Sequence, residues 1–266
     1  MQVTLVRTIA TRAEGRRRAH YLAPQVAGLL MLAGLLCLLE IAVRYDIIPR
    51  TVVARPSDAI AGLVSLENRV DLVSGFFITF GETAAAMLLE LVVAVPFGLF
   101  LFSRRQFGLA YSGWLAGLFA APIFLLYPLF LVIFGRNVLT LIIMGFLPGV
   151  LPLILQVEQG FLSVPRTLIN VGRSFGVTRW QSFRKIMIPA AAPAIFTGFR
   201  LALIYTLINI VSVEYLIDIG GLGRIVADRY ARFDISGTYT TIIAVTAVSV
   251  LFNWIIGQIE RRVRPI

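Results

Sequence analysis

The chain has 266 residues, of which 58% are hydrophobic and 14% charged, with 24 basic against 14 acidic side chains and a net charge of +10. Soluble domains carry about 45–50% apolar and about 25% charged residues, so too few charges are present to cover a water-exposed surface, and lipid is the expected solvent. The basic residues fall between apolar runs rather than on one face, which sets a nucleic-acid partner aside, and the single cysteine, Cys37, and single histidine, His20, leave no disulfide and no cysteine-based metal site.

Residues 1–20 form a basic N-terminal segment containing Arg7, Arg12, Arg16, Arg17 and Arg18. The apolar run that follows, 21–43, is too long for the core of a signal peptide, and no small-residue cleavage site follows it. It reads as a retained first span. Spanning a bilayer core takes about 20 apolar residues in helix, and helix is forced because lipid offers the backbone no other hydrogen-bond partners. Five further runs meet that length, at 76–102, 111–134, 138–157, 191–217 and 239–259. The expectation is an all-α membrane protein with six transmembrane helices.

Orientation comes from the basic residues. With both termini in the cytoplasm, fifteen basic side chains fall on the inner side, among them Arg104, Arg105, Arg173, Lys185 and Arg261. Eight fall outside, including Arg44, Arg136, Arg224 and Arg232, and Arg200 lies within the fifth span. That excess on the inner side fits an N-in, C-in topology. The outer loops are then 44–75, with Pro49 and Pro56, and 218–238, which opens on Gly220-Gly221-Leu222-Gly223.

Polar residues inside spans mark a solute pathway or hold helices together. Thr79, Glu82 or Thr83, Ala86 and Glu90 share a face of the second span, and Thr206, Asn209 and Ser212, followed by Glu214, share one of the fifth. Thr246, Ser249 and Asn253 form a third polar face on the sixth. The candidate pathway is therefore Thr79, Glu82, Thr83, Glu90, Thr206, Asn209, Ser212 and Glu214. Arg200 is the basic partner expected for Glu90, since both sit toward the inner leaflet.

The inner loop, 158–190, is long for a connection. Pro165 suits a helix start. Leu168, Val171 and Phe175 recur at helical spacing, and Gly176 offers a break. Val177, Trp180 and Phe183 begin a second stripe, which Pro189 is expected to stop. Two short amphipathic helices meeting near Gly176 either lie on headgroups or dock into a groove on a partner.

This loop resembles the "EAA" motif of ABC importer permeases. Gly176 matches the motif's glycine, Ile188-Pro189 match its Leu-Pro, and Asn170-Val171-Gly172 stand at the Glu-Ala-Ala positions. Thr197-Gly198-Phe199-Arg200 is similar to the stretch that follows. Val213-Glu214, Gly221-Leu222-Gly223 and Arg232-Phe233-Asp234 resemble the outer loop of the nitrate, sulfonate, taurine and bicarbonate branch. The resemblance implies a type I ABC importer permease fold with cytoplasmic coupling helices. It implies a second permease subunit, with a homodimer the expectation, two cytoplasmic ABC ATPase subunits and an outer solute-binding protein. The ATPase-docking loop would be Arg173, Ser174, Phe175, Gly176, Val177, Thr178, Arg179, Trp180 and Phe183. The solute would be a small anion such as a sulfonate, taurine, nitrate or bicarbonate.

No cofactor is expected on this chain. A P-loop needs Gly-x-x-x-x-Gly-Lys-Ser/Thr, and the only lysine, Lys185, follows Arg184. ATP and Mg therefore belong to the partner ATPase, and the chain is not expected to be an enzyme. The rival reading is a channel or secondary transporter without an ATPase, which has no use for a docking loop.

Overall fold

A computed structural model describes residues 26–263. The basic segment 1–20, the start of the first span and Arg264 lie outside the described residues. Helix α1 (Val26–Arg44) is followed by α2 (Pro56–Gly62), α3 (Leu66–Ser103), α4 (Arg105–Ala120), α5 (Tyr127–Phe134) and α6 (Val138–Leu162). Then come α7 (Arg166–Ser174), α8 (Arg179–Ser182), α9 (Ile188–Ile217), α10 (Gly221–Ala231) and α11 (Ile235–Val263). The described residues contain no strand.

Helix α6 is the hub, packed along α9 and α3. Its inner surface carries Leu153, Val157 and Phe161 against Leu101, Ala191 and Ala202. Helix contact in lipid depends on close backbone approach. At Gly98 an added Cβ would lie 2.7 Å from the Val157 side chain, and at Gly145 2.6 Å from Ile210. A second apolar cluster joins α3, α9, α10 and α11 through Leu72, Leu203, Leu222 and Val248, with Phe80 stacked on Phe252 at 4.6 Å.

The third apolar run is not the single helix expected over 111–134. It is α4 and α5 joined through a 3-10 turn, Ile123–Leu126, with a bend of 77°. Pro122 precedes the turn and Pro128 opens α5, and proline disrupts a helix interior but fits its first turn. The bent pair still crosses. Helix α4 starts where α3 ends, yet after α5 the Arg136 guanidinium donates to the Asp218 carbonyl (2.8 Å) and carboxylate (3.2 Å) beyond the far end of α9. The six crossings are thus α1, α3, α4 with α5, α6, α9 and α11.

The three intervals expected as loops are largely helical. Interval 44–75 holds α2 and the first turns of α3, 158–190 holds α7 and α8, and 218–238 holds α10. Helix α2 is tied to α1 by Ser57, whose N–H and hydroxyl donate to the Glu40 carboxylate at 3.0 and 2.7 Å. It is tied to α11 by the Thr240 hydroxyl donating to the Ala59 carbonyl at 2.9 Å.

Candidate functional site: an elbow, a buried polar network and a cavity

The elbow between α7 and α8 is built by backbone rules. Helix α7 ends with Gly176 at φ +71°, the left-handed conformation that glycine adopts without penalty. The Val177 N–H donates to Gly172 O (3.1 Å) and the Gly176 N–H to Arg173 O (2.9 Å), the two bonds of a Schellman cap. Thr178 then caps α8 through a capping box with Gln181, at 3.3 and 3.0 Å. Both ends of the turn are thereby fixed.

The fixed elbow presents aromatics. Phe175 is 83% exposed and Trp180 67% exposed, with Leu168 and Val171 also outward. Arg173, Ser174, Thr178 and Arg179 are exposed beside them, while Val177 is half-buried. Phe183 packs inward, between Phe161 (5.7 Å) and Trp180 (5.9 Å). Pro189 does not stop the second stripe as expected. A π-helical turn, Phe183–Met187, runs directly into α9, and Pro189, which lacks an N–H, sits just after that widened turn. The elbow is therefore continuous with a 30-residue helix, about 45 Å long, that ends beside α10.

The polar residues of α3 and α9 face inward rather than onto an open surface. Thr79, Glu82, Thr83, Glu90, Thr206, Asn209 and Glu214 are all buried. The Thr206 hydroxyl donates to the Glu90 carboxylate. The Thr79 hydroxyl donates to Glu214 at 2.7 Å and accepts from the Leu222 N–H at 2.9 Å, while Glu214 also accepts from the Gly223 N–H at 2.7 Å. Glu82 lies beside Glu214. Thr79, Glu90, Thr206 and Glu214 tie α3, α9 and the start of α10 together, while the Thr83 and Asn209 side chains bond carbonyls of their own helices at 2.7 and 2.8 Å. Ser212 is the member of the expected set that turns outward.

The pairing of Arg200 with Glu90 is also corrected. Arg200 Nη2 bonds Glu260 Oε2 of α11 at 2.5 Å. Arg200 and Thr206, the residue that meets Glu90, are six positions apart, roughly 120° around a helix of 3.6 residues per turn. Both the direction around α9 and about 9 Å of helix rise separate them. Sequence reasoning missed Glu260 as the partner of Arg200. It likewise missed Glu158, which is buried and accepts from the Ser112 hydroxyl at 2.6 Å.

The outward polar residues converge elsewhere. Ser212 and Thr246 line a cavity of about 490 Å³ with Phe124, Tyr215, Val226 and Val245. Phe124 comes from the turn that breaks the third crossing. Ser249 and Asn253 continue the Thr246 stripe along α11, half-buried and exposed respectively. The lining offers hydroxyls and aromatic faces, with no charged side chain.

A family model described as binding-protein-dependent transport system inner membrane component matches residues 60–265. The osmoprotectant import permease protein OsmW of Salmonella typhimurium is 26% identical over 205 residues, covering 75% of this chain and 95% of that protein. The glycine betaine/carnitine/choline permease OpuCB of Bacillus subtilis is 27% identical over 68% of this chain and 82% of that protein. The nitrate import permease NrtB of Leptolyngbya laminosa is 32% identical, over 45% of this chain and 43% of its own. Among solved structures, a chain of the MetNI methionine ABC transporter in an inward-facing conformation superposes with a TM-score of 0.64 at 22% identity, covering 76% of this chain and all of that one.

Proposed function

Because the chain belongs to the binding-protein-dependent transport system inner membrane components, the multi-pass permease subunits of ABC importers, we propose that it pairs with a second copy of itself around a solute pathway and takes its motion from ATPase subunits docked on the α7–α8 elbow. The carrying observation is the elbow: exposed Phe175 and Trp180 on a turn capped at both sides and joined without a break to α9. A rigid lever suits force transmission, because a flexible connection would absorb the displacement. ATP and Mg stay with the ATPase partner. In this reading the elbow faces the cytoplasm, both termini lie inside, and α10 faces the outer binding protein.

The pathway is assigned to the outward polar stripe of Ser212, Thr246, Ser249 and Asn253 with the cavity at Phe124 and Tyr215. A polar stripe that turns away from the bundle is disfavoured against lipid, and a second permease copy would cover it. The solute class follows from the lining. A bare anion calls for a fixed cation or convergent N–H donors, whereas aromatic faces with hydroxyls suit a small zwitterion bearing a quaternary ammonium. The names of OsmW and OpuCB point to the same chemistry, and the expectation of an anion such as nitrate or taurine becomes the second reading, favoured by the match to NrtB.

Phe175→Asp in the reconstituted complex tests the docking. Loss of ATPase recruitment with the six-helix fold retained is expected, and unchanged recruitment and coupled hydrolysis would remove the elbow from this role. Uptake of radiolabelled glycine betaine, competed by nitrate or taurine, separates the two solute readings.

A further inference from the structure

We infer that Phe233, on the turn between α10 and α11, is a preorganised aromatic contact for the outer solute-binding protein. This rests on the importer reading above. The turn lies at the far end of α9 from the elbow, so it faces the compartment opposite the ATPases.

The turn repeats the cap geometry of the elbow. At its end of α10 the Asp234 N–H donates to Arg229 O (3.0 Å) and the Phe233 N–H to Tyr230 O (3.1 Å), again a Schellman pair. The residue at the left-handed position is glycine in the elbow, Gly176 at φ +71°, but phenylalanine here, at φ +59°. A bulky side chain is a genuine outlier in that region. The other non-glycine residues at positive φ after a helix, Asp46 at +54° and Asp218 at +51°, are of a type that tolerates the conformation, and Asp218 bonds Arg136 and Arg224. Phe233 has no such compensation among the described residues: it is 87% exposed.

The strained backbone is held from both sides. Asp234 caps α11 by accepting from the Gly237 N–H at 2.8 Å, and it pairs with Arg229 at 3.6 Å. The ring is thus presented in one direction with little freedom left to lose on binding. Exposed Tyr230 and the Arg232–Asp228 pair (2.9 Å) flank it. Strain kept at an exposed site points to function. A headgroup anchor needs an aromatic only at the right depth, which an unstrained helical position supplies. A fixed ring set among paired charges instead fits a partner with a shaped apolar notch and a polar rim, which is the anatomy of a protein interface.

The test reconstitutes the permease with its ATPase subunits in nanodiscs and titrates its solute-binding protein, following ATPase stimulation. With Phe233→Gly, the thermal midpoint is expected to stay or rise and basal hydrolysis to hold. The half-stimulating concentration should rise by about tenfold or more, as for loss of an interface anchor, and Phe233→Tyr should restore it. Unchanged stimulation of Phe233→Gly would overturn the inference, as would a lowered midpoint, which would mark the ring as structural. It would also fall if stimulation followed the headgroup composition of the nanodisc rather than the residue at 233. Absence of stimulation in the unmodified complex would overturn the importer reading itself, and this contact with it.

Discussion

Arg200, Glu260 and Glu90 show how direction around a helix decides which charges meet. Arg200 is half exposed, so its pair with the buried Glu260 carries a modest energy. A double-mutant cycle of Arg200→Gln with Glu260→Gln should show a coupling of roughly 0.5–3 kcal/mol in detergent unfolding. The cycle of Arg200→Gln with Glu90→Gln should be additive, and a coupling there would restore the pairing expected from depth alone. Gly149 lies where an added Cβ would fall on the Glu90 carboxylate and the Thr206 hydroxyl. Gly149→Ala should therefore cost about 1–3 kcal/mol by overpacking, read as a lowered unfolding midpoint; an unchanged midpoint would mean the α3–α6–α9 contact is looser than described.

At the scale of elements, two turns with one hydrogen-bond pattern predict opposite responses. Gly176→Ala places a Cβ at φ +71° and should cost about 1–2 kcal/mol, even though nothing within 4 Å crowds that position. Phe233→Gly relieves the same conformation and should be neutral or stabilising. Measuring both midpoints in one background checks the backbone account, and two shifts of the same sign would refute it. The elbow was legible in the chain because Pro165, Gly176 and the apolar stripes on either side of it are local signals, whereas the Thr178–Gln181 capping box went unread. The bent third crossing was half legible: Pro122 and Pro128 stood inside the run expected to be one helix. What escaped was that Pro189 begins a span instead of ending a loop, since proline is compatible with either side of a helix boundary and only the continuous π turn distinguishes them.

For the whole molecule, the topology reading makes a sided prediction. In a Cys37→Ser background, Tyr230→Cys should react with an impermeant maleimide added to intact cells, and Ser174→Cys only after permeabilisation. Labelling of Ser174→Cys from outside would place the elbow beyond reach of any ATPase. The sequence by itself determined that the chain lives in lipid and which runs are long and apolar enough to cross, because that is forced by length and hydropathy with no reference to the neighbouring helices. It also carried the family resemblance, through short stretches such as Gly176 with Ile188-Pro189. The tertiary structure alone decided where the polar residues point. Thr79, Glu90, Thr206 and Glu214 became interior glue and Ser212 and Thr246 a cavity wall, because the rotation of each helix about its axis is fixed by the helices packed against it.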